Sequence, residues 1–152
     1  MLQFDVITLF PRMFDAITES GVTGRARERK AYQFLPWNPR DFATNSYRAV
    51  DDRPYGGGPG MVLMCAPVFR AIEQIQAEGD PAKVLMLTPA GERLTQTRVA
   101  QLAAEPRLIL LCGRYEGFDD RIRQGLKPLE ISVGDYVCNG GEAPAMVLID
   151  AV

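Results

Sequence analysis

Two segments of this 152-residue sequence place an acid among glycines directly after an apolar run typical of a buried strand. The first reads LILLCGRYEG over residues 108–117, and the second reads ISVGDY over residues 131–136, with a Gly-Gly pair soon after. Glycine lets the backbone turn sharply or approach a ligand where a Cβ would collide. Carboxylates such as Glu116 and Asp135 can meet a cation, a nucleobase edge or Mg²⁺. Because ligands of parallel sheets bind at the carboxyl ends of strands, we expect both segments to border one pocket.

Each charged residue in these segments also has an ordinary structural interpretation. Glu116 can cap a helix or form a surface salt bridge, and Asp135 can likewise be half of a salt bridge. Arg114 can steady a phosphate or pair with an acid. These alternatives stay open on sequence alone.

The composition excludes several kinds of catalytic site. Histidine is absent, which excludes a Ser-His-Asp triad, a Cys-His dyad and a histidine-ligated metal. Proton transfer must therefore use carboxylates, Tyr, Lys, Arg or water. Cys65, Cys112 and Cys138 are widely spaced and form no C-x-x-C pair, which argues against a disulfide framework and against structural zinc.

Two polar segments are candidates for contacts with a large ligand. Residues 21–30 concentrate three arginines and a lysine, as either a solvated helix face or a phosphate-contacting patch. Such a patch would be needed for a nucleic-acid partner, because the net charge is −2. Residues 51–61 read DDRPYGGGPGM, either a flexible connector or a mobile functional loop. We favour the functional loop, since a connector needs no flanking acids, arginine and tyrosine.

The elements that must position these groups alternate between strands and helices. That order predicts an α/β fold with a mostly parallel sheet flanked by helices, and the length fits one domain. The loop after the first strand lacks the G-x-G-x-x-G of a dinucleotide-binding Rossmann fold. The pattern places the ligand at residues 87–91, 113–117 and 134–141. The predicted strands are 2–10, 83–88, 108–112 and 131–133, and the second of them is followed by a turn at 89–91. The predicted helices are 11–19, 66–76, 95–104, a short helix capped by Asp119 or Asp120, and a last helix that begins at 142–144. Thr95 is the predicted N-cap of the helix 95–104.

The sequence also predicts a cellular setting. No apolar run approaches the roughly 20 residues of a membrane span, and the N-terminus lacks the plan of a signal peptide. We therefore expect no membrane association and a cytoplasmic location.

Six motifs occur together and in order: TLFP (8–11), NPRDF (38–42), VDDRPYGGGPGM (50–61), LCGRYEG (111–117), ISVGDY (131–136) and GGEAP (140–144). This ordered set resembles the bacterial tRNA (guanine-N1)-methyltransferase family TrmD of the SPOUT class. The likeness runs from the first predicted strand to the last residue. One local departure is VCN (137–139), where the family more usually has Leu-Thr before Gly-Gly.

The resemblance implies a fold and an activity. The fold is a SPOUT-type domain with a deep C-terminal trefoil knot, a feature that the residue pattern alone does not predict because knots are rare. The activity is methyl transfer from S-adenosylmethionine to N1 of the guanosine 3′ of the anticodon, position 37 of tRNA. The partners implied are tRNA and a second copy of the chain in a homodimer.

The resemblance also implies which residues form the site. Glu116 is the predicted catalytic residue and a possible Mg²⁺ ligand, and no metal ligand beyond it is implied. The substrate-binding residues implied at the guanosine site are Asp51, Asp52, Arg53, Tyr55, Gly57, Gly58, Pro59, Gly60 and, from its place after the third strand, Arg114. The cofactor-binding residues implied are Leu87, Thr88, Pro89, Gly113, Tyr115, Glu116, Gly117, Ser132, Val133, Gly134, Asp135, Tyr136, Gly140, Gly141 and Pro144.

Family members continue through a linker into a helical domain that grips tRNA and supplies the aspartate thought to deprotonate N1. That aspartate lies beyond Val152, and Asp150 does not match it. We therefore expect residues 1–152 to be the S-adenosylmethionine-binding domain, which binds the methyl donor but methylates tRNA poorly or not at all. The alternatives are a SPOUT methyltransferase acting on another RNA and a non-catalytic RNA-binding or dimerisation module.

Overall fold

A parallel sheet of five strands forms the centre of the protein. The computed structural model describes residues 1–45, 47, 49–52, 57, 61–114 and 117–152. The strands are β1 (Leu2–Ile7), β2 (Tyr32–Trp37), β3 (Asp51–Asp52), β4 (Val62–Leu63), β5 (Lys83–Arg93), β6 (Arg107–Leu111) and β7 (Leu129–Ser132). The sheet order is β2-β1-β6-β5-β7 with every neighbouring pair parallel, while β3 and β4 form a separate antiparallel pair. The mostly parallel α/β architecture predicted from the sequence is confirmed.

Helices follow most of the strands, as predicted. They are α1 (Asp15–Thr18), α2 (Gly21–Glu28), α3 (Cys65–Ala77), α4 (Gln96–Ala103), α5 (Asp120–Leu126) and α6 (Glu142–Ala151), with 3₁₀-helices at Pro11–Phe14 and Pro39–Phe42. The two predicted caps are confirmed: Thr95 Oγ1 accepts from the Arg98 backbone N–H at 3.2 Å, and Asp119 Oδ1 accepts from the Arg121 backbone N–H at 3.0 Å. Within the described ranges, no helix has both the length and the apolar character that a membrane-crossing segment requires.

The core lies on both faces of the sheet because the side chains of a strand alternate in direction. In β6, Leu108 and Leu110 pack into a layer with residues of α4 and α6, while Ile109 and Leu111 pack with α3 and α5. A fully buried strand of this kind is read in the sequence as a continuous apolar run. Both faces are therefore covered, and the ends of the strands remain available for a site.

The predicted turn at residues 89–91 is wrong in form. The β5 strand continues to Arg93, and both Leu87 and Glu92 pair with Ile131, so residues 88–91 form an irregularity in the ladder. Gly91 makes this possible: a Cβ there would lie 2.5 Å from the Ile131 backbone N of β7. The close approach of two backbones explains the glycine, and Pro89 is tolerated because the ladder is interrupted there.

Two element boundaries also differ from the prediction. The first strand ends at Ile7 rather than at residue 10, because Thr8 turns to accept a hydrogen bond from the Phe10 backbone N–H at 3.0 Å. Pro36 and Pro39 predict an extended stretch over residues 32–40, but β2 ends at Trp37 and Pro39 begins a 3₁₀-helix capped by the Asn38 side chain. Proline is favourable at the first position of a helix, where its missing N–H is no loss.

Candidate functional site

A cavity of about 320 Å³ opens at the carboxyl ends of β5, β6 and β7. Three turns line it, namely those that follow these strands, together with the first turn of α6. The structure thus brings most of the predicted cofactor-binding residues into one wall. Those that line the cavity are Leu87, Thr88, Pro89, Gly113, Gly117, Ser132, Val133, Gly134, Tyr136, Gly140, Gly141 and Pro144.

The other predicted residues are distributed differently. Asp135 is exposed and does not line the cavity, so only the residues on either side of it do. Arg114, predicted at the substrate, lines the cavity beside the cofactor turns. Tyr115 and Glu116, the sharpest of the predictions, lie outside the described residues, as do Arg53, Tyr55, Gly58, Pro59 and Gly60.

Residues within 51–60 were predicted to border the guanosine, and the described Asp51 and Asp52 are anchored next to the cavity. Asp51 and Asp52 form β3, which pairs with β4. In β4, the Leu63 backbone N–H donates to the Gly117 carbonyl at 2.9 Å, and the Leu63 carbonyl accepts from the Asp119 N–H at 3.0 Å. Two backbone hydrogen bonds thus tie the segment to the cavity wall. Gly57 has φ +96°, a conformation that favours glycine.

Sequence reasoning missed one wall of the cavity altogether. Asp119, Asp120 and Arg123, at the start of α5, line it, whereas the lining residues 137–139 fall within the predicted segment 134–141. The sequence identified Asp119 only as a helix cap. Its position two residues after Gly117, at a strand-end turn already expected to bind ligand, was the signal that could have placed it here.

Asp119 is held as a carboxylate. Its Oδ2 lies 2.7 Å from Arg121 Nη2, and its Oδ1 accepts from the Arg121 Nε and backbone N–H, both at 3.0 Å. These hydrogen bonds with Arg121 lower the pKa of Asp119 to about 2, although burial acts in the opposite direction. Asp119 is therefore ionised at neutral pH, and its charge is paired with the Arg121 guanidinium.

The Gly-Gly turn packs directly on the end of β6. A Cβ on Gly141 would lie 2.7 Å from Cys112 Cα and 2.9 Å from the Gly113 backbone N. The Gly141 N–H donates to the Gly113 carbonyl at 2.9 Å. Gly141 is therefore required by backbone packing within the protein.

Arg114 lies between the Gly-Gly turn and the first loop of the chain. A Cβ on Gly140 would lie 2.7 Å from both Arg114 Cδ and Cζ, so the guanidinium rests against that glycine. On its other side, Arg114 Cζ is 4.5 Å from the centroid of the Phe10 ring, within the range of a cation–π contact. Arg114 Nε donates to Glu142 Oε1 at 3.2 Å.

Glu142 is fully buried at the start of α6. Its Oε1 accepts from Arg114 and also from the Thr8 hydroxyl at 3.0 Å. Its Oε2 has no hydrogen-bond partner, and is the only buried side-chain nitrogen or oxygen of the described residues in that condition. Neighbouring Cys112 has its pKa raised well above the usual range by burial and, second, by Glu142, so this thiol is a core residue.

A metal site has little support in the described part of the chain. No group of three or more Cys, Asp or Glu residues there is placed to hold a metal ion. The possible Mg²⁺ ligand Glu116 lies outside that part. What the described residues offer is a concave, glycine-lined pocket with apolar surface and charged side chains of both signs, an arrangement suited to a small ligand with an apolar body and polar groups.

Comparison with known proteins gives a consistent result. The family model described as tRNA (Guanine-1)-methyltransferase TrmD matches residues 2–152. A tRNA (guanine-N(1)-)-methyltransferase of Herminiimonas arsenicoxydans is 54% identical over 156 aligned positions, covering 99% of this chain and 63% of the relative. One from Dechloromonas aromatica (strain RCB) is 55% identical over 158 positions, covering 100% of this chain and 62% of the relative. The chain thus spans about three-fifths of the length of these curated relatives.

A solved structure has the same fold. It is the crystal structure of tRNA (m1G37) methyltransferase from Aquifex aeolicus, which superposes with a TM-score of 0.89 at 38% sequence identity. The match covers 99% of this chain and 68% of that one.

Proposed function

Because the chain belongs to the tRNA (guanine-1)-methyltransferase family TrmD, we propose that residues 1–152 form the S-adenosylmethionine-binding domain of an enzyme that methylates N1 of the guanosine 3′ of the anticodon. The observation that carries the proposal is the cavity at the ends of β5, β6 and β7. It contains every described residue that the family resemblance assigned to the cofactor, except Asp135.

The cavity fits the methyl donor in size and in character. Its volume of about 320 Å³ lies within the range of small-molecule sites, roughly 300–1,000 Å³. Leu87, Ile131 and Val133 supply apolar surface for an adenine ring, and the glycine turns supply backbone groups for its polar edge.

Catalysis of this methyl transfer depends mainly on how the two reactants are positioned. S-adenosylmethionine supplies an electrophilic methyl group on a sulfonium, and transfer is an in-line displacement in which guanine N1 forms the new bond and a neutral thioether leaves. The turns around the cavity restrict the orientation of the reactants, which is a large part of the catalysis such a reaction needs. Guanine N1 must also lose its proton, and we assign that step to a general base beyond Val152.

Glu116 and the segment of residues 51–60 complete the proposed site. Glu116, which lies in the sequence between the cavity-lining Gly113 and Gly117, would meet the guanine edge or Mg²⁺. The described Asp51 and Asp52 support a substrate role for their segment, because β4 joins it to residues 117–119 of the wall. The trefoil knot and the second, tRNA-gripping domain remain proposals that rest on the resemblance, as does the cytoplasmic location.

We also propose a homodimer with sites at the subunit interface. Several apolar side chains are exposed on segments close to the cavity. Phe10 is 47% exposed, Met13 39%, Tyr136 56%, Val137 84% and Val147 49%. Burying these groups against a second copy would remove apolar surface from water.

Calorimetric titration with S-adenosylhomocysteine, the demethylated product, tests cofactor binding. We expect saturable binding at one site per chain, weakened by Gly113→Ala or Gly141→Ala. No heat of binding, or binding unaffected by both changes, would contradict the proposed site.

A methyl-transfer assay tests the substrate. We expect the 152-residue chain to transfer little, and a protein that continues through the tRNA-gripping domain to methylate tRNA with guanosine, but not adenosine, after the anticodon. Efficient transfer to a different RNA would favour another SPOUT activity. Binding of tRNA with a steep salt dependence but without any methyl-donor binding would favour a non-catalytic RNA-binding module.

A further inference from the structure

The buried carboxyl of Glu142 is a costly group whose position calls for an explanation. Only one of its oxygens is hydrogen-bonded, and Oε2 has no partner among the described residues. A buried polar atom without a hydrogen bond destabilises the folded state, and apolar residues often replace buried ion pairs without loss of stability. Folding alone therefore gives little reason for a glutamate here.

The contacts of Glu142 join three segments that are far apart in the sequence. Its Oε1 accepts one hydrogen bond from the hydroxyl of Thr8, directly after β1, and another from Arg114 Nε in the turn after β6. Glu142 itself is the first residue of α6, directly after the Gly-Gly turn. The three segments meet at Glu142, next to Arg114 and Gly141, which line the cavity.

Arg114 links Glu142 to the cavity wall. Its guanidinium is sandwiched between Gly140 and the Phe10 ring, and its Nη1 lies 3.5 Å from the Asn139 carbonyl. Arg114 Nε is hydrogen-bonded to Glu142. Movement of the arginine away from the turn would therefore break an ion pair whose acid is fully buried. A guanidinium used in this way fixes a backbone segment in place.

We propose that Glu142 and Arg114 are a positioning pair, which fixes the turn of residues 139–141 against the end of β6 and so sets the shape of the cofactor pocket. Neither side chain takes part in the chemical step. Loss of either member lets the turn move away from Gly113, and the cavity then loses affinity for its ligand. The inference about ligand affinity rests on the proposed function, but the inference about the turn does not.

The pair is tested first without ligand, by amide hydrogen exchange in Glu142→Gln, Glu142→Ala and Arg114→Ala. We expect both alanine variants to speed exchange at residues 139–141, because the Gly141 N–H bond to the Gly113 carbonyl is then unsupported. Glu142→Gln should stay close to the parent protein, since a glutamine carbonyl can still accept from Thr8 and Arg114. Glu105→Gln, at an exposed ion pair with Lys83, is the matched control. Unchanged exchange in both alanine variants overturns the proposal.

Calorimetry with S-adenosylhomocysteine then measures the consequence for the pocket. We expect each alanine variant to weaken binding about tenfold and the double variant to weaken it no further. Either single substitution already removes the whole Glu142–Arg114 interaction, so the second substitution has nothing more to remove. Glu142→Gln should restore most of the affinity. Additive losses in the double variant, or a loss confined to Arg114→Ala, would mean that Arg114 contacts the ligand directly and would overturn the pair. If the parent protein binds no S-adenosylhomocysteine, the proposed function fails, and the exchange measurements still decide the role of the pair.

Discussion

At the scale of single residues, the same residue type serves different purposes at the cavity. Gly141 is a glycine because the backbone of Cys112 and Gly113 occupies the place of a Cβ. Gly117, by contrast, has no atom of the described residues within 4 Å of where a Cβ would lie, but it has a φ of +104°, a conformation that other residues rarely adopt. Close packing and backbone conformation are separate reasons for a glycine, and the sequence pattern treats them alike.

Gly141→Ala should damage both stability and the pocket. We expect the free energy of unfolding to fall by roughly 1–3 kcal/mol, because the added methyl meets backbone atoms that cannot move independently. Urea denaturation measures this loss, and calorimetry with S-adenosylhomocysteine measures the weaker binding. Gly125→Ala on α5 is the control, since its Cβ would meet only side-chain atoms, those of the Phe69 ring at 2.9 and 3.4 Å. Equal losses in the two variants would show that backbone packing at residue 141 is not the cause.

Asp119→Asn should lower stability in a pH-dependent way. The pKa of Asp119 in the folded protein is about 2, below its ordinary value of 3.8, so its ionised form stabilises the fold above pH 3.8. That contribution, about 2 kcal/mol, is lost as the pH falls through 2. Because asparagine is also a good helix cap, the substitution removes mainly the charge. Urea denaturation near pH 6 should show the full difference between the variant and the parent protein, and the difference should shrink between pH 4 and pH 2.

The neighbouring Asp120→Asn is the matched control for this measurement. Asp120 is more than half exposed, and its ion pair with Arg123 is 3.5 Å long, so screening by solvent leaves it little to contribute. A pH-independent loss in Asp119→Asn, or an equal loss in Asp120→Asn, would contradict the assignment of the effect to the Asp119–Arg121 contacts.

At the scale of elements, local signals account for most of the boundaries. Periodic apolar residues locate the helices and strands, and Thr95 and Asp119 begin α4 and α5 as their residue types predict. One exception is β5, where Pro89 and Gly91 indicate a turn and the structure has an interrupted strand. Pairing with β7 on both sides of the interruption overrides the local preference, because each side gains ladder hydrogen bonds.

Thr95→Ala should test the contribution of a single cap to α4. We expect a loss of about 1 kcal/mol in the free energy of unfolding, because the Arg98 backbone N–H loses its side-chain acceptor. The control is Thr97→Ala, two residues further on at an exposed position of the same helix, where alanine should be neutral or slightly stabilising. Thermal and urea denaturation of both variants provide the comparison, and equal effects would show that the cap contributes nothing.

At the scale of the whole molecule, the arrangement of strands decides where the site lies. The order β2-β1-β6-β5-β7 places the ends of β5, β6 and β7 side by side, and the cavity opens there. The exposed apolar side chains near this edge, including Val137 and Val147, give the proposed homodimer a surface beside the cavity. Assembly and ligand binding would then involve the same region.

Val137→Asp should weaken the proposed dimer. An unpaired charge buried at an interface costs on the order of 2 kcal/mol, which raises the dimer dissociation constant by roughly thirtyfold. Sedimentation velocity over a range of protein concentrations measures the change. Val22→Asp on α2 is the control, because Val22 is 73% exposed and does not line the cavity. A monomeric parent protein, or dimers of equal strength in both variants, would exclude this surface.

The sequence by itself determined the α/β class, most of the element boundaries and the turns that line the cavity. These depend on neighbouring residues: apolar periodicity, cap residues and glycines all act within a few positions along the chain. The ordered motifs also identified the family, although Tyr115, Glu116 and much of the segment of residues 51–60 lie outside the described structure.

Only the tertiary structure decided which groups meet. Glu142 receives hydrogen bonds from Thr8, 134 residues away, and from Arg114, 28 residues away. The start of α5 closes one side of the cavity for a similar reason, since β4 pairs with the segment before it. Such contacts depend on which strands are adjacent in the sheet and on the length of each segment between turns. Both are determined by packing over the whole sheet, so a local pattern of residues cannot predict them.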